Sequence, residues 1–249
     1  MYITVNNQLI YYQKVGKGKD LILLHGWGQD VSTFWPLIEG LKDHFTLWMI
    51  DLPGFGRSEL PKKPFTVGDY AETIKDFITV QKIRKPDLLG HSLGGRVAIK
   101  LTSLYPNLID KLILEDSAGI VPKENRLKQM IFMVGAKVVK YAVPDFFGIK
   151  TSLRRSVYKA LESDYLDAGE MKETLKTTIK EDLTPDLEKI SNKTLVIWGE
   201  NDKTVTVSYG KKMYRLIPNA QLEVIDNTAH FPHLENSKRF LHYITDFLQ

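Results

Sequence analysis

Five consecutive residues carry the strongest chemical signal in this chain: Gly90-His91-Ser92-Leu93-Gly94. A serine hydroxyl is a poor nucleophile until a base takes its proton. A tight turn between a strand and a helix lifts its oxygen above the sheet, toward such a base. Flanking glycines leave room for the turn, and the amide-rich start of the following helix faces the place where an oxyanion would form. The alternative is a small-residue turn with no chemistry. A strand-like run at 87–89 before the motif and a helix predicted from about Gly95 after it argue against that alternative.

A serine held in this way needs a sheet beneath it. Short, continuous apolar runs at 21–24, 46–50, 87–89, 111–114, 194–198 and 222–225 read as strands buried on both faces of a parallel sheet. Residues 2–5 and 9–15 read as a hairpin around Asn6-Asn7. Between the runs lie helical patterns: Tyr70, Ile74, Phe77 and Ile78 share one face, Val97, Leu101 and Leu104 another, and Phe240, Tyr243, Ile244 and Phe247 a third. Strand and helix in alternation predict the α/β class, a mostly parallel central sheet with helices on both faces.

One stretch breaks the alternation. From 121 to 182 no strand is predicted. Leu127, Met130, Ile131, Val134, Val138 and Tyr141 fall at three- and four-residue steps, Leu153, Val157 and Leu161 follow, and Pro144 and Gly148 mark a turn between the two sets. An inserted helical segment of this length reads as a lid. The expected division is a core of 1–120 and 183–249 with a lid insertion of 121–182.

Composition narrows the function classes. The 249 residues are 43% hydrophobic and 26% charged, which suits one globular domain rather than a disordered or fibrous chain. A net charge of +4 is too small, over this length, to argue for nucleic acid. With no cysteine there is neither a disulfide framework nor a thiolate metal site. The first residues carry no basic segment followed by an apolar run, so no signal peptide is expected. The longest apolar candidate, 130–139, is interrupted by Lys137 and falls short of the roughly 18 residues of a membrane span. A cytoplasmic location without a membrane span is the expectation.

With these elements in place, the chain resembles the α/β-hydrolase superfamily, most clearly over 20–120 and 190–249. His25-Gly26-Trp27-Gly28 is similar to the family's oxyanion loop, and Asp51-Leu52-Pro53-Gly54-Phe55-Gly56-Arg57-Ser58 to its turn after the next strand, read as structural. The resemblance implies Ser92 as nucleophile, Asp202 as the acid after a late strand, and His230 as the base after the last strand. It also implies an oxyanion hole from the backbone N–H groups of Trp27 and Leu93. Glu200 competes for the acid and His233 for the base; Ala229 stands where the family more often has glycine. His25 and His91 read as structural, His44 and His242 as surface residues. The order Ser92, Asp202, His230 is the family's chain order. Asp202 would orient and stabilise the imidazolium, and an acyl-enzyme would be hydrolysed using the same base. The scheme implies no cofactor and no metal, and serine at 92 excludes the family's aspartate-nucleophile branch.

The implied activity is hydrolysis of carboxylic esters with small to medium acyl groups. Met130, Phe132, Met133, Phe146 and Phe147 of the inserted segment are candidates to line an acyl pocket. Residues 121–159 hold nine basic side chains against two acidic, whereas 160–182 hold seven acidic against three basic. The usual reading is solvated helix faces. The sharper one is a docking surface for an acidic partner or an anionic acyl group; the His-Gly-Trp-Gly and Ser-Leu-Gly-Gly pair resembles esterases acting on methyl esters of pimeloyl-acyl carrier protein, an acidic protein. Two alternatives stay open: carbon–carbon hydrolysis of a ring-cleavage diketone, for whose basic carboxylate partner Arg96 could be mistaken although a helix position there can point it away, and a binding protein on the same scaffold.

Overall fold

The computed structural model describes residues 1–121 and 169–249. Contacts divide the chain into one unit of Met1–Ile120 with Asp182–Gln249 and a second of Val121–Glu181. In the second, the described part is a 3-10 turn, Gly169–Met171, and helix α4, Lys172–Lys180. The candidate pocket residues Met130, Phe132, Met133, Phe146 and Phe147 lie outside the described residues.

The first unit is an eight-stranded sheet. Its strands are β1 (Tyr2–Val5), β2 (Gln8–Gly16), β3 (Lys19–Leu24), β4 (Phe45–Ile50), β5 (Asp87–His91), β6 (Leu112–Glu115), β7 (Thr194–Gly199) and β8 (Ala220–Ile225), in spatial order 1-2-4-3-5-6-7-8. The β1–β2 and β2–β4 pairings are antiparallel and all others parallel. Asn6 and Asn7, at φ 50° and 60°, make the two-residue hairpin turn that needs left-handed backbone. The helices of this unit are α1 (Trp35–Leu41), α2 (Val67–Val80), α3 (Leu93–Leu104), α5 (Thr184–Leu187), α6 (Val207–Leu216), α7 (Pro232–Glu235) and α8 (Ser237–Leu248).

Period-two alternation sorts the strand side chains onto two faces. Leu21, Leu23, Leu47, Met49, Leu89, Ile113, Leu195 and Ile197 pack against Phe34, Leu37 and Leu41 by α1, and against Phe240, Ile244 and Leu248 of α8. On the other face Trp48 meets Phe77 of α2, and Trp198 lies under Gly210 of α6. The apolar runs that mark the strands are buried because helices cover both faces. Burying one Leu or Phe is worth about 1.5–3 kcal/mol, so this two-sided core holds the strand ends rigidly in register.

Candidate active site

The site is built at the carboxyl ends of β3, β5, β6, β7 and β8. Strand β5 runs to His91 and α3 starts at Leu93, two residues earlier than the helical periodicity predicts, which leaves Ser92 alone at the turn. Its backbone sits at φ 52° and ψ −108°, a conformation that ordinarily calls for glycine. Tertiary bonds hold it there: Ser92 N–H donates to Glu115 O at 3.1 Å, and Ala118 N–H donates to Ser92 O at 3.3 Å. The neighbouring glycines are needed for close approach. A Cβ on Gly94 would lie 2.1 Å from the Leu24 carbonyl oxygen, and one on Gly90 would lie 2.4 Å from that of Gly94.

Ser92, His230 and Asp202, far apart in the chain, come together here. His230 Nε2 is 3.2 Å from Ser92 Oγ, and His230 Nδ1 is 2.8 Å from Asp202 Oδ2. The other oxygen of Asp202 accepts the N–H groups of Thr204 at 2.7 Å and Val205 at 3.0 Å. Burial alone would raise the Asp202 carboxyl. Hydrogen bonds from His230, Asp116 and Val205 outweigh it and hold the group below the ordinary carboxylate range, so it is ionised at neutral pH. Glu200, the other acid of this loop, is exposed and accepts the Asn227 N–H instead.

The loop at 25–28, the candidate oxyanion loop, is tied to the serine turn. Gly94 N–H donates to His25 O at 3.0 Å, and Gly26 N–H donates to Gln29 Oε1 at 2.9 Å. Leu93 opens α3, so its amide belongs to a first turn with no intrahelical acceptor. Trp27 is half-buried beside Phe55, with ring centroids 4.8 Å apart. His25 is fully buried. Leu52 N–H donates to its Nε2 at 3.0 Å, so Nδ1 carries the proton and donates to Gly26 O at 2.7 Å. Burial lowers its pKa to about 4, which keeps the ring neutral. Asp51 accepts Val31 N–H and Arg57 N–H, closing the 51–58 turn as a structural brace.

His233 lies in α7, a separate four-residue helix ahead of α8, and is spoken for elsewhere. Its Nδ1 is 2.7 Å from Glu115 Oε1 and its Nε2 is 2.8 Å from Thr33 Oγ1. His91 differs from its reading as a histidine with structural hydrogen bonds. Both ring nitrogens lack a hydrogen-bond partner among the described residues, and Nδ1 is 3.9 Å from Glu115 Oε2. Burial, reinforced by His233 and His230, holds its pKa well below the ordinary value. His91, Glu115 and His233 each bring a ligand atom within 4.8 Å of the others, a donor set of a kind that binds metals. Both nitrogens of His233 are already engaged. Arg96 is buried on α3, and His44 and His242 are exposed.

Two acidic residues escaped the sequence reading: Glu115, which ends β6, and Asp116, which follows it. Their signal was a pair of charges closing an apolar run, since Glu and Asp are almost never fully buried without a partner.

The chain matches the alpha/beta hydrolase family over residues 21–242. It is 27% identical over 263 residues to the pimeloyl-[acyl-carrier protein] methyl ester esterase of Nitrosospira multiformis, covering 96% of this chain and 97% of that protein. It is 28% identical over 278 residues to the 2-hydroxy-6-oxononadienedioate/2-hydroxy-6-oxononatrienedioate hydrolase of Comamonas testosteroni, covering 99% of this chain and 95% of that one. The enol-lactonase of Burkholderia xenovorans LB400 shares the fold, with TM-score 0.78 at 21% identity over 100% of this chain and 99% of that structure. A match that spans every strand from β3 to β8, on a sheet of the family's topology, means that this chain belongs to the α/β-hydrolase family.

Proposed function

We propose that this hydrolase cleaves carboxylic esters through an acyl-enzyme on Ser92, with His230 as base and Asp202 as orienting acid. The observation that carries the reading is the His230 ring, 2.8 Å from Asp202 on one nitrogen and 3.2 Å from Ser92 Oγ on the other. The proton of Ser92 would pass to Nε2 as Oγ attacks the carbonyl carbon. Asp202 keeps the opposite nitrogen protonated and offsets the charge of the imidazolium. The amides of Trp27 and Leu93 would bind the oxyanion, and His230 would return the proton to the leaving alcohol. Water then releases the acid by the same route.

The acyl group would be small to medium, and residues 121–182, Met130, Phe132, Met133, Phe146 and Phe147 among them, are the part of the chain proposed to select it. The Nitrosospira relative supports a carrier-bound methyl ester, and the basic residues of 121–159 suit an acidic carrier. Charge reversal at Arg126, Lys128, Arg154 and Arg155 should slow turnover of such a substrate at low salt, and an unchanged rate would remove the carrier from the reading. The Comamonas relative supports a second reading, carbon–carbon hydrolysis with the same three side chains.

The test is turnover of p-nitrophenyl esters from acetate to decanoate, with Ser92→Ala alongside. Hydrolysis peaking at short or medium chains and lost in the variant is the expected result. No hydrolysis, with Ser92 still labelled by a fluorophosphonate and a dienoate diketone consumed, moves the assignment to carbon–carbon cleavage. Neither labelling nor turnover makes the protein a binding module.

A further inference from the structure

The acid of the candidate triad has a second carboxyl behind it. Asp116 follows β6 at φ 39°, left-handed backbone in a residue other than glycine, and is fully buried. Its own N–H donates to Ile197 O at 3.1 Å, which pins it to β7. Both its oxygens face the Gly199 N–H, at 3.1 and 3.3 Å, and the Gly199 carbonyl accepts the Asp202 N–H at 3.3 Å. One residue, Gly199, therefore ties both aspartates, one through its N–H and the other through its carbonyl. Asp116, Asp202 and His230 each place a polar atom within 4.8 Å of the other two.

Two carboxylates cannot both stay charged in so small a buried space, because their repulsion has no water to screen it. Counting lone pairs shows how the conflict resolves. The Asp202 carboxylate has about four acceptor sites. Thr204 N–H, Val205 N–H and His230 occupy three, which leaves one for a donor. Gly199 can only donate to Asp116 through its N–H. Asp116 thus has one oxygen for that amide and one left to carry a proton.

We propose that Asp116 is a positioning residue for the hydrolytic triad, a neutral carboxylic acid that accepts from Gly199 and donates its proton to Asp202. The inference rests on the Ser92–His230–Asp202 reading above. Desolvation, then the charges of Glu115 and Asp202 and the hydrogen bond to Asp202, push the Asp116 carboxyl up to about 11. The two acids are thereby driven apart, one neutral and one ionised, as in other paired carboxyls that share a site. Among the described residues, Glu115 is the further acid beside Asp116, and it points its Oε1 at His233. The fourth hydrogen bond fixes the rotation of Asp202 and moderates its charge, so that His230 is held at one angle.

Three measurements test this. The infrared spectrum at neutral pH should contain a protonated-carboxyl stretch that disappears in Asp116→Asn; its absence from the wild type overturns the proposal. Asp116→Ala, normalised to sites titrated by a fluorophosphonate, should lose kcat by about 10- to 100-fold, the range of one charge-assisted hydrogen bond, with KM little changed. Its acidic limb of kcat/KM should move to higher pH, because an Asp202 without this donor is the more basic. Asp116→Asn retains one acceptor and one donor in the same places, so it should recover most of that kcat and restore the limb. Wild-type kcat and limb in the Ala variant, or an Asn variant as impaired as Ala, would each overturn the proposal. Ser92→Ala run in parallel separates the two failures: turnover there overturns the triad itself, whereas an inactive Ser92→Ala beside an unaffected Asp116→Ala overturns only the role of Asp116.

Discussion

Ser92 is where backbone and chemistry conflict most openly. Its side chain must stand above the sheet, and the turn that achieves this puts a residue with a Cβ at φ 52° and ψ −108°. Such strain costs about 1–3 kcal/mol and persists only because the bonds to Glu115 and Ala118 over-determine it. Ser92→Gly is therefore expected to abolish turnover while raising stability by about 1 kcal/mol, and Ser92→Ala to abolish turnover with no such gain. Urea midpoints of the two variants decide it: equal midpoints mean that the turn is relaxed. Residue types in the sequence marked Ser92 at a strand-to-helix turn, and the family resemblance implied Asp202 and His230 after later strands, with Glu200 and His233 as competitors. They did not reveal that Glu115 would engage His233 or that Asp116 would reach Asp202. Those pairings depend on strand order, which no local pattern reports.

At the scale of elements, the site depends on how closely α3 approaches β3. The Leu24 carbonyl oxygen occupies the place where a Cβ on Gly94 would be. Gly94→Ala should therefore push α3 away, costing about 1–3 kcal/mol or more and lowering the fraction of Ser92 that a fluorophosphonate labels. A variant with wild-type labelling and stability would show that α3 has slack. The long elements were legible because their periodicity runs for several turns or a whole buried strand. Short ones were not: α1 has seven residues, and α6 buries only Gly210 and Met213 among ten, too few to show a face. His233 sits in α7, a single turn of helix that has no period of its own to show in the sequence.

For the whole molecule, buried neutral imidazoles make folding sensitive to acid. His25 titrates near 4 when folded, against an ordinary 6.5. Above 6.5 the ring is neutral in both folded and unfolded chains. Below it, the unfolded chain binds a proton that the folded one refuses until about pH 4. Stability is thus full at neutral pH and falls as pH drops from 6.5 toward 4, by on the order of 3 kcal/mol from this group. His91, lowered for the same reason, adds in the same direction. Unfolding free energies at steps between pH 7.5 and 4.5 should decline, and His25→Gln should reduce the slope by up to about 1.4 kcal/mol per pH unit. Superimposable wild-type and variant slopes would rule out His25 as a contributor.

Taken by itself, the sequence determined the fold class, the order of the strands along the chain, and three reactive residue types at the ends of strands. Hydrophobic runs and turn residues act locally, so they can be read without coordinates. Only the tertiary structure decided the spatial order 1-2-4-3-5-6-7-8, and with it which strand ends are neighbours. That adjacency brings Asp202 rather than Glu200 to His230, and His230 rather than His233 to Ser92, because a hydrogen bond is fixed by distances of a few ångströms between residues 28 and 138 positions apart. It also buries Asp116 behind Asp202, where burial disfavours two charges and leaves one of the two carboxyls to keep its proton.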